Sequence, residues 1–220
     1  MIAIVASAFD SAASALATAW SGAGAALLSA DDLCRSGWSF RVGDPEGGRA
    51  VIAGSVVDVG DIRAVVTRRP AVISDELVAI DDADRGYLTS EINAFLVAWL
   101  SALRCPVVNR PTTTCLCGPA WSDVHWQLAA SRAAVAWHTG SVEDADTTDV
   151  LVCGMATTGT TRREESEAAI RLAAEAGVTM LAARFIDGRV CAATARPALD
   201  DSQWRELVLD HVRTFDRVAR

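Results

Sequence analysis

The stretch Arg104–Pro111, with the sequence RCPVVNRP, decides the predicted fold of this chain. Its valine pair is bracketed by prolines and runs directly into Asn109 and Arg110, the pattern of a short buried strand that delivers an amide and a guanidinium to the end of a sheet. A second stretch, Ile62–Pro70 (IRAVVTRRP), also ends an apolar strand in arginines and a proline. Since ligands of open α/β sheets bind outside the carboxyl ends of the strands, the two stretches predict one shared edge for an anionic ligand. The alternative is that the prolines simply end the strands and the arginines are solvated.

Composition narrows the class of protein. The chain has 220 residues, of which 51% are hydrophobic, enough for a substantial core and too many for a disordered chain. A net charge of −8 argues against general nucleic-acid binding. No apolar run is long enough to cross a membrane. All 20 basic residues are arginine, which excludes lysine chemistry such as Schiff bases and lysine phosphate clamps.

The cysteines and the first residues indicate a compartment. The Ala-rich start lacks a basic region, and Asp10 interrupts its apolar run, so we do not expect a signal peptide. Six scattered cysteines are typical of a reduced protein with mostly buried thiols. We therefore expect a cytoplasmic protein.

Hydrophobic periodicity predicts alternating strands and helices. The clearest helix is 81–103, where the apolar residues from Leu88 to Leu103 form one stripe. Other predicted helices are 11–21, 121–136, 162–176 and 203–218. The predicted strands are 2–6, 25–28, 62–67, 107–108, 149–153, 178–186 and 189–195. The segment 38–54 predicts a hairpin that turns at 43–48, and the acidic segment 139–148 predicts a linker.

The first part of this order resembles the pre-ATP-grasp domain of the ATP-grasp superfamily, in its branch of ribosomal-protein and peptide ligases (RimK-like). The resemblance is carried by Val65–Pro70, by Asp84–Tyr87 with Glu91, and by Cys105–Pro111, with Gln127–Ala130 as the helix that follows. It implies a Rossmann-like, three-layer α/β fold for residues 1–138.

The last part, residues 149–220, resembles the other end of the same fold, as a small C-terminal α+β remnant. Glu164–Ala176 resembles its late helix, Thr179–Ile186 its metal-side strand, and Arg189–Pro197 its closing strand. The middle of an ATP-grasp enzyme, which holds most of the nucleotide contacts, has only the linker 139–148 in its place. The resemblance therefore implies a truncated ATP-grasp fold.

Four positions depart from the family pattern. Val124 stands where the family has a lysine, Arg184 where the metal-side strand has an acid, and Thr194 and Arg196 where the closing strand has Glu and Asn. ATP-grasp chemistry forms an acyl phosphate with magnesium held between carboxylates, and an arginine cannot ligate magnesium. The resemblance with these losses implies a pseudoenzyme without catalytic residues, metal or cofactor.

A pocket for a peptide or an amino-acid-like carboxylate is the predicted site. Tyr87 and Glu91 share a helix face and could line it. The candidate ligand-binding residues are Arg68, Arg69, Arg85, Tyr87, Glu91, Asn109 and Arg110. For the helix pair, a surface hydrogen bond is the alternative.

Two other constellations give weaker signals. Cys115 and Cys117 with His125 could seed a metal site, or Cys115 could be a nucleophile with His125 or His138 as base, but the spacing is Cys-x-Cys with no second pair. Residues 154–160, GMATTGT, lie between a strand and a helix as phosphate loops do, yet they lack Gly-Lys-Ser/Thr.

Three functions fit these observations. The first is a non-catalytic ATP-grasp-like subunit or binding protein that acts with an active ATP-grasp ligase in peptide modification or natural-product biosynthesis. The second is a free-standing ligase or transferase that reuses the framework. The third is a homo-oligomeric binding or scaffold protein. Removing a lobe exposes apolar surface, so we expect an active ATP-grasp partner or a homodimer.

Overall fold

A four-stranded parallel sheet is the centre of the first of two structural units. The computed structural model describes residues 1–44, 46–143 and 145–218. The units are Met1–Cys117 together with the chain from Thr214 onwards, and Gly118–Arg213.

In chain order the first unit contains β1 (Ile2–Val5), α1 (Ser11–Ala19), β2 (Ala25–Leu28), α2 (Ala30–Leu33), β3 (Arg49–Ile52), β4 (Ser55–Asp58), β5 (Ala64–Thr67), α3 (Asp82–Ala102) and β6 (Val107–Val108). The sheet order is β2-β1-β5-β6, and every pairing in it is parallel.

Buried apolar runs put β1 and β5 in the middle of this sheet. All residues of both strands are buried, as expected where a parallel strand is covered on both faces. On one face Val5 and Val65 join the core that contains Leu96, Trp99 and Leu100 of α3. The predicted strands and the long predicted helix of this unit are confirmed, with ends that move by no more than a few residues.

The second strand of the predicted hairpin pairs with the strand that follows it, not with the segment before it. Residues 49–52 do form a strand, but β3 pairs with β4 after it, and only an isolated bridge between Ser39 and Arg49 remains of the expected pairing. Ala53 and Gly54 both have positive φ, 49° and 75°, the conformation of a tight two-residue turn. Trp38 instead packs against the core of the first unit. Its indole N–H donates to the Asp32 carbonyl at 2.8 Å, and its ring contacts Trp99 edge-on.

An antiparallel sheet is the centre of the second unit. Its elements are α4 (Asp123–Arg132), β7 (Thr148–Cys153), β8 (Ala156–Thr158), α5 (Arg163–Glu175), β9 (Met180–Ile186), β10 (Arg189–Thr194) and, as far as Arg213, α6 (Ser202–Val218). The order is β10-β9-β7-β8. One face of this sheet, with Val150, Val152, Leu181 and Phe185, packs in a core with Trp126 of α4 and Leu172 of α5. The sequence-based strands at 149–153, 178–186 and 189–195 are confirmed here.

Two local predictions for this unit need correction. Residues 154–160, which the sequence places between a strand and a helix, contain a strand of their own, because Ala156–Thr158 pairs back on β7 as a hairpin strand. The helix predicted over 121–136 ends at Arg132, and Ala134 beyond it has a φ of 52°. Within the linker prediction, the described residues 139–143 and 145–147 contain no helix or strand.

The units divide the chain earlier than the sequence-based boundary after residue 138. The division falls between Cys117 and Gly118, because α4 packs against α5 and β10 of the second unit. The mixed α/β class with a parallel sheet is confirmed. Among the described helices, none combines the length and apolar character of a membrane span.

Candidate functional site

The carboxyl ends of β1, β5 and β6 meet at one edge of the parallel sheet. Val5 lies opposite Thr67, and Val66 lies opposite Val108, so the residues after β5 and β6 leave the sheet side by side. Asn109 follows β6, is 1% exposed and adopts a φ of 53°. The structure therefore brings the ends of the two arginine-bearing stretches to the same edge.

Arg68 has a carboxylate partner at this edge. Its Nε donates to Oδ2 of Asp10 at 3.2 Å, and Oδ1 of the same carboxylate caps α1 by accepting the Ala13 N–H at 2.9 Å. Burial pushes the pKa of Asp10 up, but the Ala13 hydrogen bond and the charge of Arg68 outweigh it and hold that pKa below its ordinary value. Asp10 is therefore ionised at neutral pH and offsets the charge of Arg68.

Arg69 is a buried clamp. Its guanidinium donates to the carbonyl oxygens of Ala6 at 3.2 Å and Ala71 at 3.1 Å and pairs with Glu76. Burial lowers the pKa of Arg69, and the charge of Glu76 opposes that shift. These bonds join the end of β1 to the segment after β5, so Arg69 holds the edge in shape.

Two polar atoms near this clamp have no partner among the described residues: Oγ1 of Thr67 and Oε1 of Glu76 are buried and make no hydrogen bond. Thr67 is 1% exposed. Buried polar atoms in native proteins normally have hydrogen-bond partners. Each of these two atoms can therefore form a hydrogen bond with a water molecule or a ligand atom.

Arg110 and Arg85 donate hydrogen bonds to backbone carbonyls near the two ends of α3. The guanidinium of Arg110 donates to the carbonyls of Leu100, Ser101 and Leu103, at 3.1, 3.2 and 3.0 Å. These carbonyls lie at the carboxyl end of α3, where helices leave acceptors without intrahelical partners.

Near the other end of α3, Nε of Arg85 donates to the carbonyls of Leu77 and Ile80, at 3.1 and 2.9 Å. Tyr87 and Glu91 lie on α3 one turn apart, and both are exposed. Of the predicted ligand-binding residues, the structure thus brings Arg68, Arg69 and Asn109 together.

The second unit places the departures from the ATP-grasp pattern on and around its sheet. Asp149 of β7 lies directly opposite Arg184 of β9. Nε and Nη2 of Arg184 donate to the two oxygens of Asp149 at 2.7 and 2.8 Å, a bidentate pair. The hydrogen bonds and charge of Asp149 raise the pKa of Arg184. The guanidinium thus occupies both oxygens of the nearest carboxylate.

Thr194 shares this sheet face. It lies opposite Ala182, which is two residues from Arg184 on β9, so the side chains at 182, 184 and 194 point to one side. Oγ1 of Thr194 accepts the Arg196 N–H at 3.1 Å. Val124 is 71% exposed on α4.

The weaker constellations do not assemble a metal or phosphate site. Among the described residues there is no group of three His, Cys, Asp or Glu side chains that could hold a metal ion. Sγ of Cys115 lies 3.6 Å from Sγ of Cys117, while Nδ1 of His125 is hydrogen bonded to Ser122 at 2.8 Å. Gly154 begins the β7–β8 hairpin, which differs from the strand–loop–helix arrangement of phosphate loops.

Sequence reasoning missed the carboxylates that pair with the arginines. Asp10 interrupts an apolar run, and its position before an Ala-rich helix is also the signal of an N-cap, which the structure shows it to be. Glu76 and Asp149 carried no local signal, because their partners come together only through tertiary structure.

Comparisons with known proteins give one kind of match. No protein-family model and no curated protein matches the sequence. A solved structure of the ATP-grasp ligase PsnB, complexed with minimal precursor, Mg and ADP, matches at 12% identity and a TM-score of 0.68, covering 96% of this chain and 98% of that one. The macrocyclase MdnC from Microcystis aeruginosa, bound with precursor peptide MdnA, matches at 11% identity and a TM-score of 0.65, covering 100% of this chain and 99% of that one. A RimK domain ATP-grasp protein from Sphaerobacter thermophilus matches at 14% identity and a TM-score of 0.52, covering 96% and 99%. The chain therefore has the fold of the ATP-grasp ligases.

Proposed function

We propose that this chain is a non-catalytic protein of the ATP-grasp fold that acts with an active ATP-grasp ligase in peptide modification. The observation that carries the proposal is the bidentate pair of Arg184 with Asp149. The resemblance implies an acid at position 184. In its place a guanidinium neutralises the neighbouring carboxylate, and its charge opposes a divalent cation on this sheet face.

The other departures support the same reading. A ligase that forms an acyl phosphate needs magnesium between carboxylates and the phosphates. Thr194 and Arg196 stand in the closing strand where the resemblance implies Glu and Asn, and Val124 replaces a lysine. We propose that neither magnesium nor nucleotide binds here in the manner of an active ligase.

The proposed ligand is a peptide or an amino-acid-like carboxylate. Several solved structures of similar fold, PsnB and MdnC among them, are complexes with precursor peptides. In this chain the edge formed by Arg68, Arg69 and Asn109 is the proposed place for the peptide, and we propose that the exposed Tyr87 and Glu91 of α3 contact it as well. Residues 1–138 would correspond to a Rossmann-like pre-ATP-grasp domain and 149–220 to a C-terminal remnant, in a cytoplasmic protein whose partner is the active enzyme or a second copy.

Reconstitution tests the proposal. A candidate partner, chosen as an intact ATP-grasp ligase whose gene neighbours the gene of this chain, is incubated with its precursor peptide and MgATP, with and without this protein, and the modified peptide is quantified by mass spectrometry. We expect several-fold more modified peptide when the chain is present, and no product from the chain without the ligase. R68A is the variant expected to lose the gain, and R163A, at an exposed site on α5, is the matched control expected to retain it. Equal yields with and without the chain, together with no complex by sedimentation, would remove the proposal.

A further inference from the structure

The loop after β6 carries two buried thiols that face each other. Cys115 and Cys117 are each 4% exposed, and their Sγ atoms lie 3.6 Å apart. Between them Leu116 is 2% exposed and packs in the core of the first unit. Since the middle residue is anchored inward, the two thiols flank it and approach each other across a turn.

Backbone and hydroxyl hydrogen bonds hold this turn. The Thr112 N–H and hydroxyl donate to the Cys115 carbonyl at 2.8 and 3.3 Å, the Thr114 N–H donates to the Thr112 hydroxyl at 3.4 Å, and the Leu116 N–H donates to the Pro70 carbonyl at 2.8 Å. Local opening of a loop exposes buried groups without global unfolding. A small oxidant can reach the thiols in that way.

We infer that Cys115 and Cys117 form a reversible intramolecular disulfide when the protein meets a low-molecular-weight disulfide. A disulfide needs its sulfur atoms at about 2.05 Å, so the thiols must move together by a short distance from van der Waals contact. The inference is independent of the proposed peptide function.

The chemistry proceeds by thiol–disulfide exchange. The thiolate of one cysteine attacks the small disulfide, forms a mixed disulfide and releases one small thiol. The thiolate of the second cysteine then attacks the protein sulfur of that mixed disulfide and releases the second small thiol. Two protein thiols are oxidised, one small disulfide is reduced to two thiols, and the two protein protons end on the products.

Burial disfavours the thiolates of the other four cysteines. It raises the pKa of Cys105 to about 11 and that of Cys153 to about 12, and it also raises the pKa of Cys34 and of Cys191. The thiolate is the attacking species in exchange. The 3.6 Å separation of the two Sγ atoms is the observation that selects Cys115 and Cys117.

Alkylation counting tests the inference. The folded chain is equilibrated in buffers of increasing ratio of oxidised to reduced glutathione, alkylated with N-ethylmaleimide in guanidinium chloride so that buried thiols also react, and weighed by mass spectrometry. In the reduced protein all six cysteines should be alkylated, because none of them forms a disulfide. In the oxidised protein we expect a loss of two alkylation sites, a mass deficit of two hydrogens, a bridge in the proteolytic peptide that contains 115–117, and full recovery with dithiothreitol.

Variants make the assignment specific. C115A and C117A should each abolish the loss of two sites, while the double variant C34A/C191A should keep it. Circular dichroism before oxidation shows that each variant is folded. The inference is overturned if the wild type keeps six alkylation sites at every ratio, if a glutathione adduct at 115 or 117 persists without resolving, or if the bridge maps to other cysteines.

Discussion

At the scale of single residues, the arginines form ion pairs with carboxylates or donate hydrogen bonds to backbone carbonyls. Arg184 and Arg68 form ion pairs with Asp149 and Asp10. Arg69 and Arg110 donate to carbonyl oxygens, those of Arg110 lying at the carboxyl end of α3. An exposed ion pair contributes only about 0.2–1 kcal/mol to stability, and Arg184 is half exposed, at 51%. Its larger effect is on the charge of the sheet face, which can therefore be changed without unfolding the protein.

Replacing Arg184 by an acid should create affinity for a divalent cation. In R184D the new carboxylate lies directly opposite Asp149 across β7 and β9, where two carboxylates can share a cation. We expect Mn²⁺ to bind R184D at least tenfold more tightly than the wild type, about 1.4 kcal/mol, as measured by calorimetry or by the loss of the free Mn²⁺ signal in electron paramagnetic resonance.

The control for this change is R189D, which alters the net charge equally at an exposed position on β10. Its carboxylate does not face Asp149, since Arg189 lies opposite Ile186. Equal Mn²⁺ affinities for R184D and R189D would show that position 184 does not govern cation binding on this face.

At the scale of elements, the sequence predicts what local pattern determines. Buried apolar runs identified β1, β5 and β6, and helical spacing identified α3. Pairing between strands distant in sequence was not predictable. The Gly and Pro residues at 43–48 predicted a turn there, whereas the hairpin turns at Ala53–Gly54. Trp38 was expected in a strand but packs against the core. For the same reason the meeting of Arg68 and Asn109 at one edge was predictable, whereas the carboxylates that pair with the arginines were not.

Two glycines test this view of the elements in opposite directions. Gly54 has a φ of +75° in the β3–β4 turn, whereas Gly86 lies in α3 with nothing within 4 Å of an added Cβ. G54A should lower the free energy of unfolding by about 1 kcal/mol, because alanine is strained at positive φ. G86A should raise it by about 0.5–1 kcal/mol, through helix propensity.

Urea unfolding at neutral pH measures both changes against the wild type. Each variant is the control for the other, since both replace glycine by alanine in the first unit. A stabilising G54A would contradict the positive-φ turn, and a destabilising G86A would contradict the open position of Gly86 on α3.

At the scale of the whole molecule, the chain shares its fold with ATP-grasp ligases, and we propose that its site is altered. The chain matches ATP-grasp ligases nearly from end to end at 11–14% identity, yet an arginine occupies a position where the resemblance implies a metal-binding acid. A fold can host several functions, so the function has to be argued from the site. The correspondence of residues 1–138 to a pre-ATP-grasp domain, and the absence of the central lobe, stay predictions.

Titration of the wild-type chain with MgATP by isothermal calorimetry measures whether the nucleotide and its metal ion bind, with an intact ATP-grasp ligase as the positive control. Because Arg184 neutralises Asp149 and opposes a divalent cation, we expect no saturable heat up to millimolar MgATP, while the ligase binds under the same conditions. Saturable, magnesium-dependent binding of ATP to this chain with a micromolar Kd would contradict this expectation.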